Sequence, residues 1–387
     1  MTQTAVDKTV AIPPRGGVRA LARNARAMLD PNQVGYVIFY VTNRCNFRCK
    51  FCFYSAEIEK GLKPDELTLP EIEKIASSVG PLLQLSMTGG EAVLRADMEA
   101  VTRAWLDRAT PRYVTIPTNA SMPDRMVRFF TEILPSYPDT FFRLVFSIEG
   151  IGEAHDQLRS MPGSFKKIEE SYAALLPLRA KYPNLTLDSN SVFTAQSEDT
   201  LLDTVKYIDA NFDFDNISVT FARGDIQSPG FKTLARVKYE AIFEFLSARE
   251  KNREGRFLYP IWRAASDVAR ENLLRVVFDE EFVAPCVAGR KLIVIGETGE
   301  VFPCEILGKS MGRLRDHDFD VRKLMAHAEN EKLRNWIVDS KCKCSFECAL
   351  AAGAVWSPAN YPRMVARSIG NIGSKDRRAP TAAKPAR

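Results

Sequence analysis

The sequence predicts an α/β protein built on a parallel sheet, followed by a smaller, cysteine-rich α+β region. Between about residues 35 and 222, six short runs rich in β-branched and aromatic residues alternate with amphipathic segments of helical period. Strand–helix units in series are typical of a parallel sheet. Because the runs are almost continuously apolar, both faces of the sheet should be covered. Periodicity alone does not decide between a doubly wound sheet and a barrel.

The predicted strands follow one another through the first part of the chain. They are Tyr36–Val41, Leu82–Met87, Tyr113–Thr118, Phe141–Ile148, Leu185–Phe193 and Asn216–Ala222. One intervening helix has a well-marked start, since Thr68 and Glu71 have the spacing of a capping box with Pro70 in the first turn. In either architecture, functional residues follow the carboxyl ends of strands. The first group of cysteines lies in that position, directly after the first strand.

The pattern changes after residue 222 and predicts helices around 238–250 and 264–277. The segment KLIVIGETGEVFPCE then predicts a β-hairpin, and residues 319–360 are helical and rich in cysteine. We therefore expect four parts. They are a helical N-terminal extension (1–34), the sheet domain (35–278), the cysteine-rich domain (279–362) and a basic, disordered tail (363–387).

Composition indicates an ordinary soluble, cytoplasmic protein. The 387 residues are 45% hydrophobic, enough for a large core, and no apolar run approaches the roughly 20 residues that span a bilayer. The formal charge of +5 comes partly from the tail, and no nucleic-acid partner is expected. Arg19, Arg23 and Arg26 lie on one face of a predicted N-terminal helix. Packing against the sheet domain is the favoured role of that helix, and contact with an anionic membrane is the alternative.

The eight cysteines fall into two groups: Cys45, Cys49 and Cys52, and then Cys286, Cys304, Cys342, Cys344 and Cys348. In the cytoplasm, clustered cysteines indicate metal or redox sites rather than disulfides. The first group has the spacing C-x3-C-x2-C on a loop. Three thiolates leave a coordination position open, whereas a structural zinc site closes with four ligands, and no histidine is nearby. A 4Fe-4S cluster with three protein ligands leaves one iron free.

This first group resembles the signature of the radical S-adenosylmethionine (SAM) superfamily, C-x3-C-x-aromatic-C after the first strand. The resemblance implies a partial (β/α)6 TIM-like barrel with a small C-terminal α+β iron-sulfur domain. It implies that Cys45, Cys49 and Cys52 hold a 4Fe-4S cluster whose open iron binds SAM, with Phe51 beside the adenine. Reductive cleavage of SAM would give a 5′-deoxyadenosyl radical that takes hydrogen from a substrate carbon.

Residues after later strands extend the resemblance. The turn Gly89, Gly90, Glu91 is similar to the Gly-Gly-Glu turn that meets the methionine amino group, although Ala92 stands where proline is common. SIEGIGEAHDQLRSMPGSF resembles a stretch of the branch with a C-terminal cluster domain, although Glu149 replaces the usual aspartate. By this resemblance, the cofactor-binding residues also include Asn119, Ser147 and Arg159. Their alternatives are helix capping for Asn119 and Ser147 and a surface ion pair for Arg159.

The second cysteine group is similar to the auxiliary-cluster domains called SPASM and twitch. Five cysteines suffice for one auxiliary 4Fe-4S cluster and not for two. The predicted ligands are Cys286, Cys304, Cys348 and either Cys342 or Cys344, and the remaining thiol is unassigned. Structural zinc is the alternative for this group.

Glu305 directly follows Cys304. By resemblance to sulfatase-maturing enzymes it is a candidate base that takes a proton from the substrate, and an exposed glutamate at a hairpin end is the alternative. Oxidation or rearrangement of a small-molecule or sugar-type substrate is slightly favoured over modification of a peptide or protein. A flavodoxin or ferredoxin is the expected electron donor. A non-catalytic iron-sulfur electron carrier is the interpretation from a different functional class.

Overall fold

A nine-stranded sheet organises the part of the chain that the structure describes. This computed structural model describes residues 25–61, 63–224, 226, 229–233, 235–251 and 259–373. The strands are β1 (Tyr36–Thr42), β2 (Gln84–Gly89), β3 (Tyr113–Thr118), β4 (Phe141–Ser147), β5 (Leu185–Phe193), β6 (Asn216–Phe221), β7 (Leu292–Ile295), β8 (Glu300–Phe302) and β9 (Gly312–Arg313). All six strands predicted for the sheet domain are present.

The strand order is β6-β5-β4-β3-β2-β1-β7-β8-β9. Every pair from β6 to β7 is parallel, and β7-β8-β9 is antiparallel. The predicted α/β class is therefore confirmed, and because β6 is a free edge, the sheet forms a partial rather than a closed barrel. The pairing of β7 with β1 was not predicted, since its sequence indicated only one arm of a hairpin.

Helices connect the strands, and most of those between β1 and β6 cover one face of the sheet. They are α1 (Ser55–Glu59), α2 (Leu69–Val79), α3 (Met98–Arg108), α4 (Pro123–Ile133), α5 (Glu153–Arg159), α6 (Ser164–Lys181), α7 (Leu201–Asn211), α8 (Arg236–Lys251), α9 (Tyr259–Phe278), α10 (Val321–Met325), α11 (Ala328–Asp339), α12 (Glu347–Trp356) and α13 (Tyr361–Gly373). The predicted capping box begins α2, where the backbone N–H of Thr68 donates to Glu71 Oε2 at 2.8 Å. None of the helices described is long and apolar enough to cross a membrane.

The two faces of the sheet differ in chemistry. On β4, Phe142, Leu144 and Phe146 belong to the main apolar core, where Phe142 packs on Phe130 of α4 and Phe146 on Tyr172 of α6. Side chains alternate between the faces of a strand, so the intervening residues lie on the opposite face, which we call the lumen face. The lumen face carries many polar residues: Ser86, Thr88, Thr115, Arg143, Ser147, Asp188, Asn190, Ser218 and Thr220.

The C-terminal region packs against the lumen face of β1. Tyr36, Ile38 and Tyr40 share an apolar cluster with Phe346 and Trp356, which flank and end α12. Glu347, at the start of α12, accepts a hydrogen bond from the backbone N–H of Phe221, the last residue of β6, at 2.8 Å. The C-terminal region therefore contacts both β1 and the free edge of the barrel.

The two ends of the chain are described only in part. Residues 25–29 are helical, while Arg19 and Arg23 lie outside the described residues, as do residues 374–387. The tail predicted to be disordered from residue 363 begins inside α13, which continues to Gly373. The reason is tertiary packing, because α13 lies against α9 and Arg363 pairs with Glu271. The prediction of disorder relied on the basic composition of this segment, which does not reveal the packing.

Candidate active site

The loop after β1 brings three thiols into one apolar environment. Cys45, Cys49 and Cys52 belong to a cluster with Phe47 and Phe51. The three thiols interact electrostatically with one another. Burial raises the pKa of Cys45 to about 12 and that of Cys52 to about 11, so a bound metal must displace protons from both.

The Gly-Gly turn after β2 packs directly on this loop. A Cβ atom at Gly89 would lie 2.2 Å from the carbonyl oxygen of Thr42, and one at Gly90 would lie 2.0 Å from that of Arg44. The N–H of Gly90 donates to Thr42 O at 2.9 Å, and the N–H of Glu91 donates to Arg44 O at 2.7 Å. Glycine is therefore required here by the approach of the loop backbone, a reason that the sequence did not reveal.

Glu91 joins the ends of β2 and β3. Its side chain is buried, with Oε1 accepting from the Thr118 hydroxyl at 2.8 Å and Oε2 accepting from the Asn119 N–H at 2.7 Å. Burial raises the pKa of Glu91 to about 7, although the two hydrogen bonds favour the carboxylate. Asn119 Nδ2 in turn donates to Asn46 Oδ1 at 2.8 Å. The strand ends and the cysteine loop thus form one connected unit.

Arg159 connects this unit to β4 and β5. Its Nη2 donates to Glu149 Oε1 at 2.5 Å, and its Nη1 lies 3.6 Å from the sulfur of Cys49. The guanidinium carbon is 5.4 Å from the ring centroid of Phe51. The other oxygen of Glu149 accepts from the Val192 N–H at 2.6 Å. The side chains of Arg159 and Glu149 are 12% and 1% exposed, so this is a buried ion pair rather than a surface one.

Ser147 is the last residue of β4 and lies on the lumen face, level with Asn190 of β5. The structure places six predicted cofactor residues at the carboxyl ends of β1 to β4 or in the loops that follow them: Phe51, Gly89, Gly90, Glu91, Asn119 and Ser147. Arg159 ends α5, the helix that follows β4.

The second cysteine group lies between α12 and β1. Cys286, Cys304, Cys344 and Cys348 share the apolar cluster that contains Phe346. Cys342 lines one cavity together with Cys286 and Cys344. In the described chain, no three His, Cys, Asp or Glu side chains form a group that would hold a single metal ion.

Glu305 lies in a buried polar network beside β1. Its Oε1 accepts from the Tyr40 hydroxyl at 2.8 Å and its Oε2 accepts from Arg223 Nη2 at 3.0 Å. Arg223 Nη1 also donates to Glu347 Oε2 at 3.1 Å. Glu305 is 6% exposed, which is inconsistent with the exposed hairpin-end alternative.

Arg223 was missed by the sequence analysis. It follows β6 directly, in the position where functional residues are expected, and its guanidinium lies between the rings of Phe53 and Phe346 at 5.3 and 4.9 Å. Its position after a strand was the only available signal.

Residues 39–212 match the family model of the Radical SAM superfamily. The chain carries a radical SAM domain. A pre-heme d1 synthase of Dinoroseobacter shibae is 28% identical over 182 residues, which cover 45% of this chain and 40% of the relative. A GTP 3′,8-cyclase of Haemophilus influenzae is 26% identical over 148 residues, covering 36% and 44%. The chain thus matches less than half the length of these curated relatives.

The fold of the radical SAM domain and of much of the C-terminal region is also found in a solved structure. anSMEcpe with bound AdoMet gives a TM-score of 0.56 at 16% identity, covering 87% of this chain and 99% of anSMEcpe. The same protein has been solved with a Cp18Cys peptide. The predicted radical SAM domain is confirmed. A domain of this family implies a 4Fe-4S cluster and SAM, and its three-thiol loop fits that cluster by its donor set.

Proposed function

We propose that this chain is a radical SAM enzyme that removes a hydrogen atom from a small-molecule substrate and then oxidises or rearranges it. When bound, the reduced cluster and SAM supply a 5′-deoxyadenosyl radical. Cys45, Cys49 and Cys52 would hold the cluster. The observation that supports this proposal most strongly is the packing of the Gly89–Gly90 turn on the backbone of the cysteine loop, which joins the two parts of the predicted cofactor site.

Five groups of this chain would orient SAM. The backbone of the Gly-Gly-Glu turn would meet the methionine amino group, and Arg159 would bind its carboxylate, since a guanidinium can donate two parallel hydrogen bonds. Glu149 fixes Arg159 in place. Phe51 would contact the adenine, and Asn119 and Ser147 would contact the remaining polar groups from the ends of β3 and β4.

We propose a single auxiliary 4Fe-4S cluster, in a SPASM- or twitch-like domain, bound by Cys286, Cys304, Cys348 and either Cys342 or Cys344. The apolar cluster that Cys286, Cys304, Cys344 and Cys348 share supports this set. Such a cluster would supply an electron-transfer site, with a flavodoxin or ferredoxin as the donor to the enzyme. Glu305, oriented by Tyr40 and Arg223, would accept the proton that the substrate loses on oxidation.

Peptide modification is the second candidate. Its support is the likeness in fold to anSMEcpe, which has been solved with a peptide. The small-molecule proposal is supported by the relatives named as a pre-heme d1 synthase and a GTP cyclase and by the polar lumen face.

The test uses anaerobically reconstituted enzyme with SAM and dithionite. We expect 5′-deoxyadenosine from the wild type and none from the Cys45/Cys49/Cys52 triple alanine variant. Iron content should fall from about eight to about four atoms per chain in that variant. A wild type that binds iron but forms no 5′-deoxyadenosine would support the electron-carrier interpretation instead. About twelve irons would contradict the single auxiliary cluster.

A further inference from the structure

Arg143 is a charged residue in the interior of the barrel. It lies on β4, the third strand from the free edge, and it alternates with the core residues Phe142 and Leu144. Its side chain therefore lies on the lumen face. Arg143 is in register with Thr115 on β3 and with Thr186 on β5.

Asp188 on β5 holds one edge of the Arg143 guanidinium. Both Nε and Nη2 of Arg143 donate to the same oxygen, Asp188 Oδ2, at 2.9 and 2.6 Å. Because Asp188 lies two residues beyond Thr186, the guanidinium reaches toward the carboxyl end of the sheet, where the cofactor residues lie. Among the described residues, Nη1 has no hydrogen-bond partner.

The two members of this pair differ in exposure. Asp188 is 3% exposed, whereas 37% of the Arg143 side chain remains accessible. An ion pair that served only to fill the barrel would gain little, since the desolvation of the buried carboxylate offsets much of its attraction to the guanidinium. The arrangement instead resembles a guanidinium that a buried carboxylate orients while part of the side chain stays accessible to a ligand. Tyr36 of β1 and Cys348 of α12 are its other electrostatic neighbours.

Neighbouring lumen residues also present hydrogen-bonding groups. The hydroxyl of Thr115 is buried and has no partner among the described residues. Nearer the carboxyl end, Asn190 Nδ2 donates to the Thr220 hydroxyl at 3.1 Å, and the Ser218 hydroxyl donates to Asn190 Oδ1 at 3.0 Å. Asp188 and Asn190 are two residues apart on one strand, which corresponds to about 7 Å.

We propose that the lumen binds a small hydroxylated carboxylic acid, with its carboxylate on Arg143 and its hydroxyls near Asn190, Ser218 and Thr220. A chain of five or six carbons would reach from the guanidinium of Arg143 to the hydroxyl and amide groups around Asn190. This inference rests on the proposed function, because it places the upper carbons of the ligand near Ser147 and the predicted SAM site. Arg143 is then a specificity-determining residue.

The probes are sugar acids, and the assay is calorimetric titration of anaerobic holoenzyme with SAM bound. Glycerate, threonate, ribonate and gluconate are each compared with their neutral amides. We expect a carboxylate to bind at least tenfold more tightly than its amide, with the five- or six-carbon acids binding best. The double variant Arg143→Met/Asp188→Leu should lose this preference, because it removes both charges without leaving one buried and unpaired.

Arg143→Lys keeps the charge but not the planar fork, and we expect it to retain part of the preference. Equal affinity for acids and amides in the wild type would overturn the inference, as would an undiminished preference in the double variant. Should the double variant not fold, a reduced preference in Arg143→Lys supports the inference and full retention overturns it. The titration needs no turnover, so wild type that binds sugar acids but forms no 5′-deoxyadenosine contradicts the proposed function alone.

Discussion

Glu91→Gln should change how the stability of the protein depends on pH. The pKa of Glu91 rises from 4.5 to about 7 on burial in the folded chain. The folded state therefore keeps a proton that the unfolded state has lost, and stability is lost as pH rises through this interval. With these two pKa values, the unfolding free energy should fall by about 2–3 kcal/mol between pH 5 and pH 8 because of this one group. Glutamine does not ionise; its oxygen can accept from the Asn119 N–H while its amide group donates to the Thr118 hydroxyl.

The assay is urea unfolding of the iron-free chain, and the measured quantity is the difference in unfolding free energy between Glu91→Gln and the wild type. Other titrating groups cancel in this difference, which should rise by about 2–3 kcal/mol from pH 5 to pH 8. Glu71→Gln is the matched control. Burial raises the pKa of Glu71, but hydrogen bonds from Thr68 and Arg315 lower it by more, so Glu71 is ionised in both states over this range. The difference in unfolding free energy between Glu71→Gln and the wild type should therefore not change from pH 5 to pH 8. A flat difference for Glu91→Gln as well would refute the reasoning.

Three further substitutions test the site. Gly90→Ala should cost most of the iron of the first cluster, because the new Cβ meets a loop carbonyl at 2.0 Å, whereas Gly353→Ala has open space and should keep its iron. Arg223→Met should lower the free energy of urea unfolding by about 3–5 kcal/mol, because the carboxylates of Glu305 and Glu347 lose their partner. The double variant Arg223→Met/Glu347→Gln should recover part of that loss. Arg159→Lys should weaken SAM binding at least tenfold by calorimetry, and unchanged binding would exclude a bidentate role.

The sheet domain was predictable because its signals are local. Apolar runs separated by helical periods gave β1 to β6, and the spacing of Thr68 and Glu71 gave the start of α2. The pairing of β7 with β1 was not predictable, because a four-residue apolar run does not specify a partner more than 200 residues away in the chain.

The site residues that are close together in the sequence could be predicted from their motifs. Those that only the tertiary structure brings together could not. The cysteine loop and the Gly-Gly-Glu turn are contiguous in sequence. Arg143 and Asp188 look like interruptions in two apolar strands, and only the register of the sheet joins them. The shared surroundings of Cys304 and Cys348 likewise depend on the tertiary contacts of α12, since these residues are far apart in the chain.

The parallel contact between β1 and β7 has a practical consequence for dissecting this protein. Cutting the chain after α9, where the sequence suggests a boundary, would remove β7 from β1 and leave the N–H and C=O groups on that side of β1 as an unpaired sheet edge. It would also uncover Tyr36, Ile38 and Tyr40. The fragment that ends after α9 should therefore self-associate rather than fold as a stable monomer. In the full chain, β7 of the cysteine-rich region covers this edge of β1.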